Sequence, residues 1–600
     1  MKPIELAPDA RWRGRFRAPA IAWARVAKSN PNRGLACCNR SGRYQLCAWE
    51  VESGELAELT HLETGTRMGT ISADGKWVDY LEDRRGDESG HLTRVSFEGG
   101  EARDITPDLP AYFSGGTSED LLGEVTGFTT SNREGFRVYV ADRDFSVRRE
   151  IFHSKRQTLG PRISSDGSIA VIGTAERSKR NEYALVAVDI TTGERIAEIA
   201  DDNASLSMSS FSRVVGDNRL LAMSDRSGLN RPFLWDPVNA RRTELALDAL
   251  DGELRAWDWS PDGRQLLLCR HIAATHELYL YDLETETCTR LDVPPGSVAS
   301  GQLTAAGDVL ICWQDASHPA RILSIDPTGG RDPLPVLSAG DVEPGAPWLS
   351  ITEPSTDGAE IQFWIAVPEG DGPFPTIVHT HGGPTAVQSE VFSPSAQAWL
   401  DHGFAFVSVN YRGSVTFGKE FERAIWGRLG IVEVDDMAAA LSWAVSNEIS
   451  DPDRVILTGG SYGGYLTLQA MGRRPDLWAG GIAQVAIADW RLMYEDQREA
   501  LRAYQVSLFE GTPDEQPEAH AEASPITYAD DFRAPILVIQ GRNDSRCPAR
   551  QMEVFEEALA SRQKDIHIHW FDAGHGSLDV DQKIEHQEMM LKFAERILNP

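Results

Sequence analysis

Residues 458–467 read TGGSYGGYLT, one serine among four glycines. Gly459-Gly460-Ser461-Tyr462-Gly463 fits the G-x-S-x-G pattern, between the apolar run RVILT and the helix-like run YLTLQAMGR. A sharp strand-to-helix turn exposes a serine at the strand end. The helix after it directs its amino end at the site and favours developing negative charge. A serine hydroxyl is a poor nucleophile at neutral pH, so it needs a base, and the base needs a carboxylate to orient it. Both candidates follow in the order Ser, Asp, His. Asp544 stands just past the apolar run in ILVIQGRNDSRCP, and His575 stands between two glycines in IHWFDAGHGS. Singly, each could be an ordinary loop residue. Their order and strand-end positions make them a candidate triad. His379, His567 and His569 lie inside strand-like runs and suit core or face positions, and Asp572 is too near His575 in sequence to be the first choice.

Attack on a carbonyl also demands donors for the oxyanion. The stretch VHTHGGPT, residues 378–385, follows an early strand-like run and can offer a backbone N–H. Pro384 has no N–H, which makes Gly383 the expected donor, with Tyr462 as the second.

Elements that could hold these residues are legible around them. PFPTIVHTHGG, GFAFVSVNYRG, DRVILTGGS and APILVIQGRND each contain a short apolar strand, and VDDMAAALSWAVSN and RQMEVFEEALASR read as helices between them. Strands alternating with helices imply a mostly parallel, helix-covered sheet, whose sites lie at the carboxyl ends of its strands.

The first half has another grammar. SADGKW at Ser72, SSDGSI at Ser164, SPDGRQ at Ser260 and TAAGDV at Thr304 repeat one phrase, with weaker copies near Asn30, Thr117 and Val215. Copies stand roughly 42–50 residues apart, the period of a four-stranded propeller blade. Apolar runs such as VLICW and LLLCR follow the turns, and LVAVDITTGER, LYLYDLETET and ILSIDPTGGR supply further strand-turn-strand signals. The expected fold is a seven-bladed β-propeller joined to an α/β-hydrolase domain. Its parts are an N-terminal extension at 1–24, the propeller at 25–335 and the catalytic domain at 341–600.

Composition bounds the partners. A chain of 600 residues is too long for one ordinary core, and 41% hydrophobic content with 16 tryptophans argues against disorder. A net charge of -31 argues against nucleic acid. Seven cysteines without repeated spacing fit reduced thiols in a cytoplasm better than a disulfide framework, and no paired spacing points to zinc. MKPIELAPDARWRGRF lacks the apolar core of a signal peptide, and no run has the length of a membrane span.

HGGP at 381–384, NYRGS at 410–414, GGSYGGY at 459–465, DSRCP at 544–548 and GHG at 574–576, behind a propeller, resemble the prolyl oligopeptidase family of serine peptidases. HGGP and GGSYGGY are most similar to its acylaminoacyl-peptidase branch. The resemblance implies the triad Ser461, Asp544 and His575, with Gly383 and Tyr462 at the oxyanion hole. It further implies that Arg546 binds a substrate carbonyl, and that VAIADWRLMYED at 485–496 lines the pocket for the residue before the cleaved bond, with Trp490 and Tyr494 as candidates. Cys547 departs from it, standing where the family usually carries valine. A propeller capping the site would restrict access to short peptides, and the N-terminal stretch would pack on the hydrolase domain.

The leading expectation is thus a serine peptidase acting on short peptides or acylated amino-acid derivatives, through an acyl-enzyme and without a metal or organic cofactor. A small-molecule esterase or amidase would use the same triad, and an inactive propeller-based binding protein is a third reading. Residue preference, the need for a blocked amino terminus and oligomeric state, a homo-oligomer included, stay open.

Overall fold

All seven turn phrases land at the same hairpin, between the first and second strands of successive four-stranded antiparallel sheets. The computed structural model describes residues 2–599 except 179, 339 and 341, so residue 341, where the catalytic domain was expected to begin, lies outside the described residues. In the best-formed copies the serine hydroxyl bonds the aspartate two residues on, Ser72 to Asp74 at 2.7 Å and Ser164 to Asp166 at 2.6 Å. Glycines with positive φ, Gly75 at 72° and Gly167 at 72°, let the chain turn back. The phrase recurs because each blade needs the same tight reversal.

Among the described residues seven such sheets form the ring, from Ile21–Val26 in the first blade to Leu334–Leu337 in the last. The first strand therefore starts inside the segment assigned above to the N-terminal extension. Apolar residues fill the space between adjacent blades, as where Ala170 and Ile172 of one blade meet Val138 and Val140 of its neighbour.

The catalytic half is one eight-stranded sheet in the order Leu349–Pro354, Glu360–Ala366, Ala405–Asn410, Phe374–Thr380, Ser450–Gly460, Gly480–Gln484, Ile536–Gly541 and Ile566–Phe571. Pairing is antiparallel for the first three and parallel from Ala405–Asn410 onward. The central strands are buried on both faces, which explains why AFVSVN and ILVIQG read as continuous apolar runs. Helices Val432–Ser446 and Ala549–Ala560 cover the sheet where helical periodicity was read. The short N-terminal helix Arg11–Arg17 sits on this half. Trp12 is fully buried, and Arg13 and Arg15 pair with Glu588 and Asp401.

Candidate active site

Ser461 ends the strand Ser450–Gly460 and stands at the N-cap of the helix Tyr462–Arg473, with φ 58° and ψ -121°. A side chain held in that region stores about 1–3 kcal/mol of strain and survives only where the surroundings over-determine it. The glycines show how. A Cβ on Gly459 would lie 2.5 Å from the backbone of Gly463 and 2.8 Å from Thr380 O, and one on Gly463 would lie 2.2 Å from Thr380 O. Gly464 is equally confined, 2.7 Å from Gln484 O. Gly460 has no such contact under 3.9 Å, so it is the one glycine of the motif that packing does not require. Ser461 N–H donates to Gln484 O at 2.9 Å, tying the turn to the adjacent strand.

His575 and Asp544 come from the loops after the strands Ile566–Phe571 and Ile536–Gly541. His575 Nδ1 lies 2.8 and 3.0 Å from the two carboxylate oxygens of Asp544. The same carboxylate accepts from the backbone N–H groups of Arg546 at 2.8 Å and Cys547 at 2.9 Å, so it is buried but well bonded. Cys547, also buried, brings its thiol against the Ser461 hydroxyl.

The HGGP loop lies beside the serine. A Cβ on Gly382 would be 3.3 Å from Ser461 Cβ, and Gly383 has φ 136°, a conformation favouring glycine. NYRGS explains itself here. Tyr411 OH donates to His381 O at 2.9 Å, its ring stacks on the His381 ring with centroids 4.5 Å apart, and Ser414 Oγ meets His381 Nε2 at 2.9 Å. Burial drives the His381 pKa down to about 4, leaving a neutral structural imidazole. Tyr462 is the first residue of its helix, so its N–H belongs to the set that finds no partner within the helix.

Beneath the nucleophile lies a group that sequence reasoning missed. Glu433 is fully buried, accepts from Tyr462 OH at 2.7 Å and from Gly430 N–H at 3.0 and 3.1 Å. Burial pushes its pKa up to about 7. The signal available was only an acid in the first turn of an apolar helix.

The propeller contributes a second missed group. Glu88, on the hairpin between Trp77–Asp83 and Gly90–Ser96, bonds Arg546 Nε at 2.9 and 3.0 Å and Arg498 Nη1 at 2.7 Å. Burial would raise its pKa, but the two guanidinium groups hold it below the usual range. Arg546 is thus brought to the triad, as the aspartate loop places it, with its guanidinium engaged across the domain interface. Trp490 is only 4% exposed and packs on Tyr465 and Phe509, behind Tyr462. Tyr494 is half-buried under the Arg502 guanidinium. Trp490 is thus a core residue behind the nucleophile's helix, not a pocket wall, and Tyr494 packs against Arg502.

Residues 390–600 match the profile of the prolyl oligopeptidase family. That match spans the C-terminal third of the chain and holds Ser461, Asp544 and His575. It is 25% identical to dipeptidyl aminopeptidase BIII of Pseudoxanthomonas mexicana over 527 residues, 83% of this chain and 75% of that protein. It is 26% identical to the acylamino-acid-releasing enzyme of Rattus norvegicus over 341 residues, and there spans only 45% of the relative's length. Among solved structures, a puromycin hydrolase superposes with a TM-score of 0.85 at 20% identity, covering 99% of this chain and 96% of that one. An acylaminoacyl peptidase does so at 0.72 and 19%, covering 98% and 99%. These likenesses speak for the two-domain fold. Among the described residues no helix is long and apolar enough to cross a membrane.

Proposed function

We propose that the chain hydrolyses short peptides, of the acylaminoacyl-peptidase type or a related exopeptidase or oligopeptidase, through an acyl-enzyme on Ser461. The observations carrying this reading are the hydrogen-bonded His575–Asp544 pair and a serine held at positive φ beside Gly382, each just past the carboxyl end of a strand of one sheet. His575 takes the proton from Ser461 and returns it to the leaving amine, while Asp544 fixes the imidazole tautomer. The N–H groups of Gly383 and Tyr462 receive the oxyanion. Arg546, whose side chain keeps 44% exposure, binds a substrate carbonyl, and the propeller limits access to short chains. A blocked amino terminus is part of this proposal, since Glu88, the propeller acid that reaches the triad loop, is already engaged by two arginines. A cytoplasmic location belongs to the same proposal, in keeping with seven free cysteines.

The test compares acetyl-alanine, free alanine and alanyl-proline p-nitroanilides with a p-nitrophenyl ester, alongside Ser461→Ala. The acetylated amide is expected to be cleaved best. The variant should lose turnover by about 10⁴-fold or more, together with fluorophosphonate labelling. Undiminished hydrolysis by the variant would end the triad reading. Preference for free-amino substrates would move the enzyme to an aminopeptidase subtype, and turnover of the ester alone would make it an esterase with the same triad.

A further inference from the structure

Cys547 is the one place where the motif set departs from the family, and the fold puts that departure inside the site. Asp544 and Cys547 share one loop, His575 comes from another, and each presents a donor atom such that all three atoms lie within 4.8 Å of one another. Carboxylate, thiolate and imidazole form a borderline-soft set that suits zinc and disfavours magnesium or calcium. A tetrahedral zinc with bonds of about 2.0–2.3 Å asks for donors about 3.3–3.8 Å apart, so closing the set needs shifts of about 1 Å. Asp544 is anchored by two backbone N–H groups and would move little, so the adjustment falls to the His575 side chain, which keeps 13% exposure. The Ser461 hydroxyl, which meets the Cys547 thiol, lies at the edge of the set and would face the bound ion.

We propose that Asp544, Cys547 and His575 form an inhibitory zinc site that switches the peptidase off. It rests on the triad reading above. The thiol gives its proton to solvent as its sulfur binds the ion. Either imidazole nitrogen serves the purpose: a metal on Nε2 takes the base away from Ser461, and one on Nδ1 replaces the bond to Asp544. Ser461 is half-buried rather than sealed, and a hydrated ion would approach the set from its side. Paired ligand spacings along the chain could not reveal this set, because its members come from loops 31 residues apart.

The full-length enzyme is titrated with zinc while p-nitroanilide turnover and fluorophosphonate labelling are followed. Both should fall together and return with EDTA. Cys547→Val and Cys547→Ser, two variants in case one fails to fold, should need more than about tenfold more zinc for the same loss. Equal sensitivity of the folded variants, equal inhibition by magnesium, or no loss in the wild type overturns the proposal. A second readout needs no turnover. Cobalt added to Ser461→Ala should give a thiolate-to-cobalt charge-transfer band that is missing in Ser461→Ala/Cys547→Val. An unchanged band in the double variant rejects the site even if the peptidase reading stands. A band that depends on Cys547 upholds the site even if Ser461 proves not to be the nucleophile.

Discussion

The loop of Ser461 is held from within the hydrolase domain, while the loop of His575 leans on the propeller. Around Ser461 the restraints are Thr380, Gln484, Gly463 and, below, Glu433, all from the same sheet and its helices. Around His575 they cross the domain boundary. Gly574 meets Gly86 so closely that a Cβ on it would sit 1.8 Å from Gly86 O. Tyr44 N–H donates to Leu578 O at 3.2 Å, Val580 N–H donates to Gly42 O at 2.8 Å, and Arg43 pairs with Asp579. The nucleophile is therefore independent of how the domains dock, and the base is not. A propeller placed this way does more than narrow the approach, since parting the domains removes support from the His575 loop and, through Glu88 and Arg546, from the Asp544 loop, but not from Ser461.

Four variants test that contrast. Gly463→Ala drives a methyl into Thr380 O and should abolish turnover while costing about 3 kcal/mol or more in urea unfolding; a folded, active variant would show the Ser461 turn to be softer than its packing implies. Gly574→Ala should lower kcat by about 100-fold with global stability little changed, read by steady-state kinetics and urea melts. If kcat holds, the propeller contact does not position His575.

Glu433→Gln addresses the support below Ser461. A carboxyl with its folded pKa raised to about 7 contributes stability that is full below its unfolded pKa and is lost as pH rises through 7. Wild-type stability should thus decline across the window from about 4.5 to 7 by on the order of 2 kcal/mol from this group, and the Gln variant should lose that slope. Denaturant melts at pH 5 and pH 8 decide it. Smallest is Glu88→Gln, which weakens a partly exposed ion pair. It should raise KM by about two- to fivefold with kcat nearly constant, and the gap should shrink at high salt.

The parts legible in the sequence are those made by local rules. The repeated serine-aspartate-glycine turn is solved within six residues, so its period announced the blades. G-x-S-x-G, the loop acid and the glycine-flanked histidine each sit at a strand end that apolar runs had already marked. What stayed hidden depends on pairing between distant segments. Glu433 acts through Tyr462, and Glu88 reaches Arg546 across 458 positions of chain. Neither residue differs in local context from the many other acids of a chain with net charge -31. Trp490 shows the converse, since an aromatic side chain gives the same signal whether it faces a ligand or fills a core.

Every blade of the ring is built from four strands that follow one another in sequence, the first blade and the last included. Among the described residues no strand from one end of the propeller is woven into the sheet at the other. The seam between blades one and seven is kept shut by side chains: Ala36, Cys47 and Trp49 packed on Cys312, Ile322 and Leu337, and the Gln302 amide bonded to Val26 N–H and Val26 O at 3.0 and 3.1 Å. Mechanically this is a glued ring rather than a buttoned one. Load on it concentrates at a joint with no shared backbone ladder, and that joint is where the circle opens without unravelling any sheet.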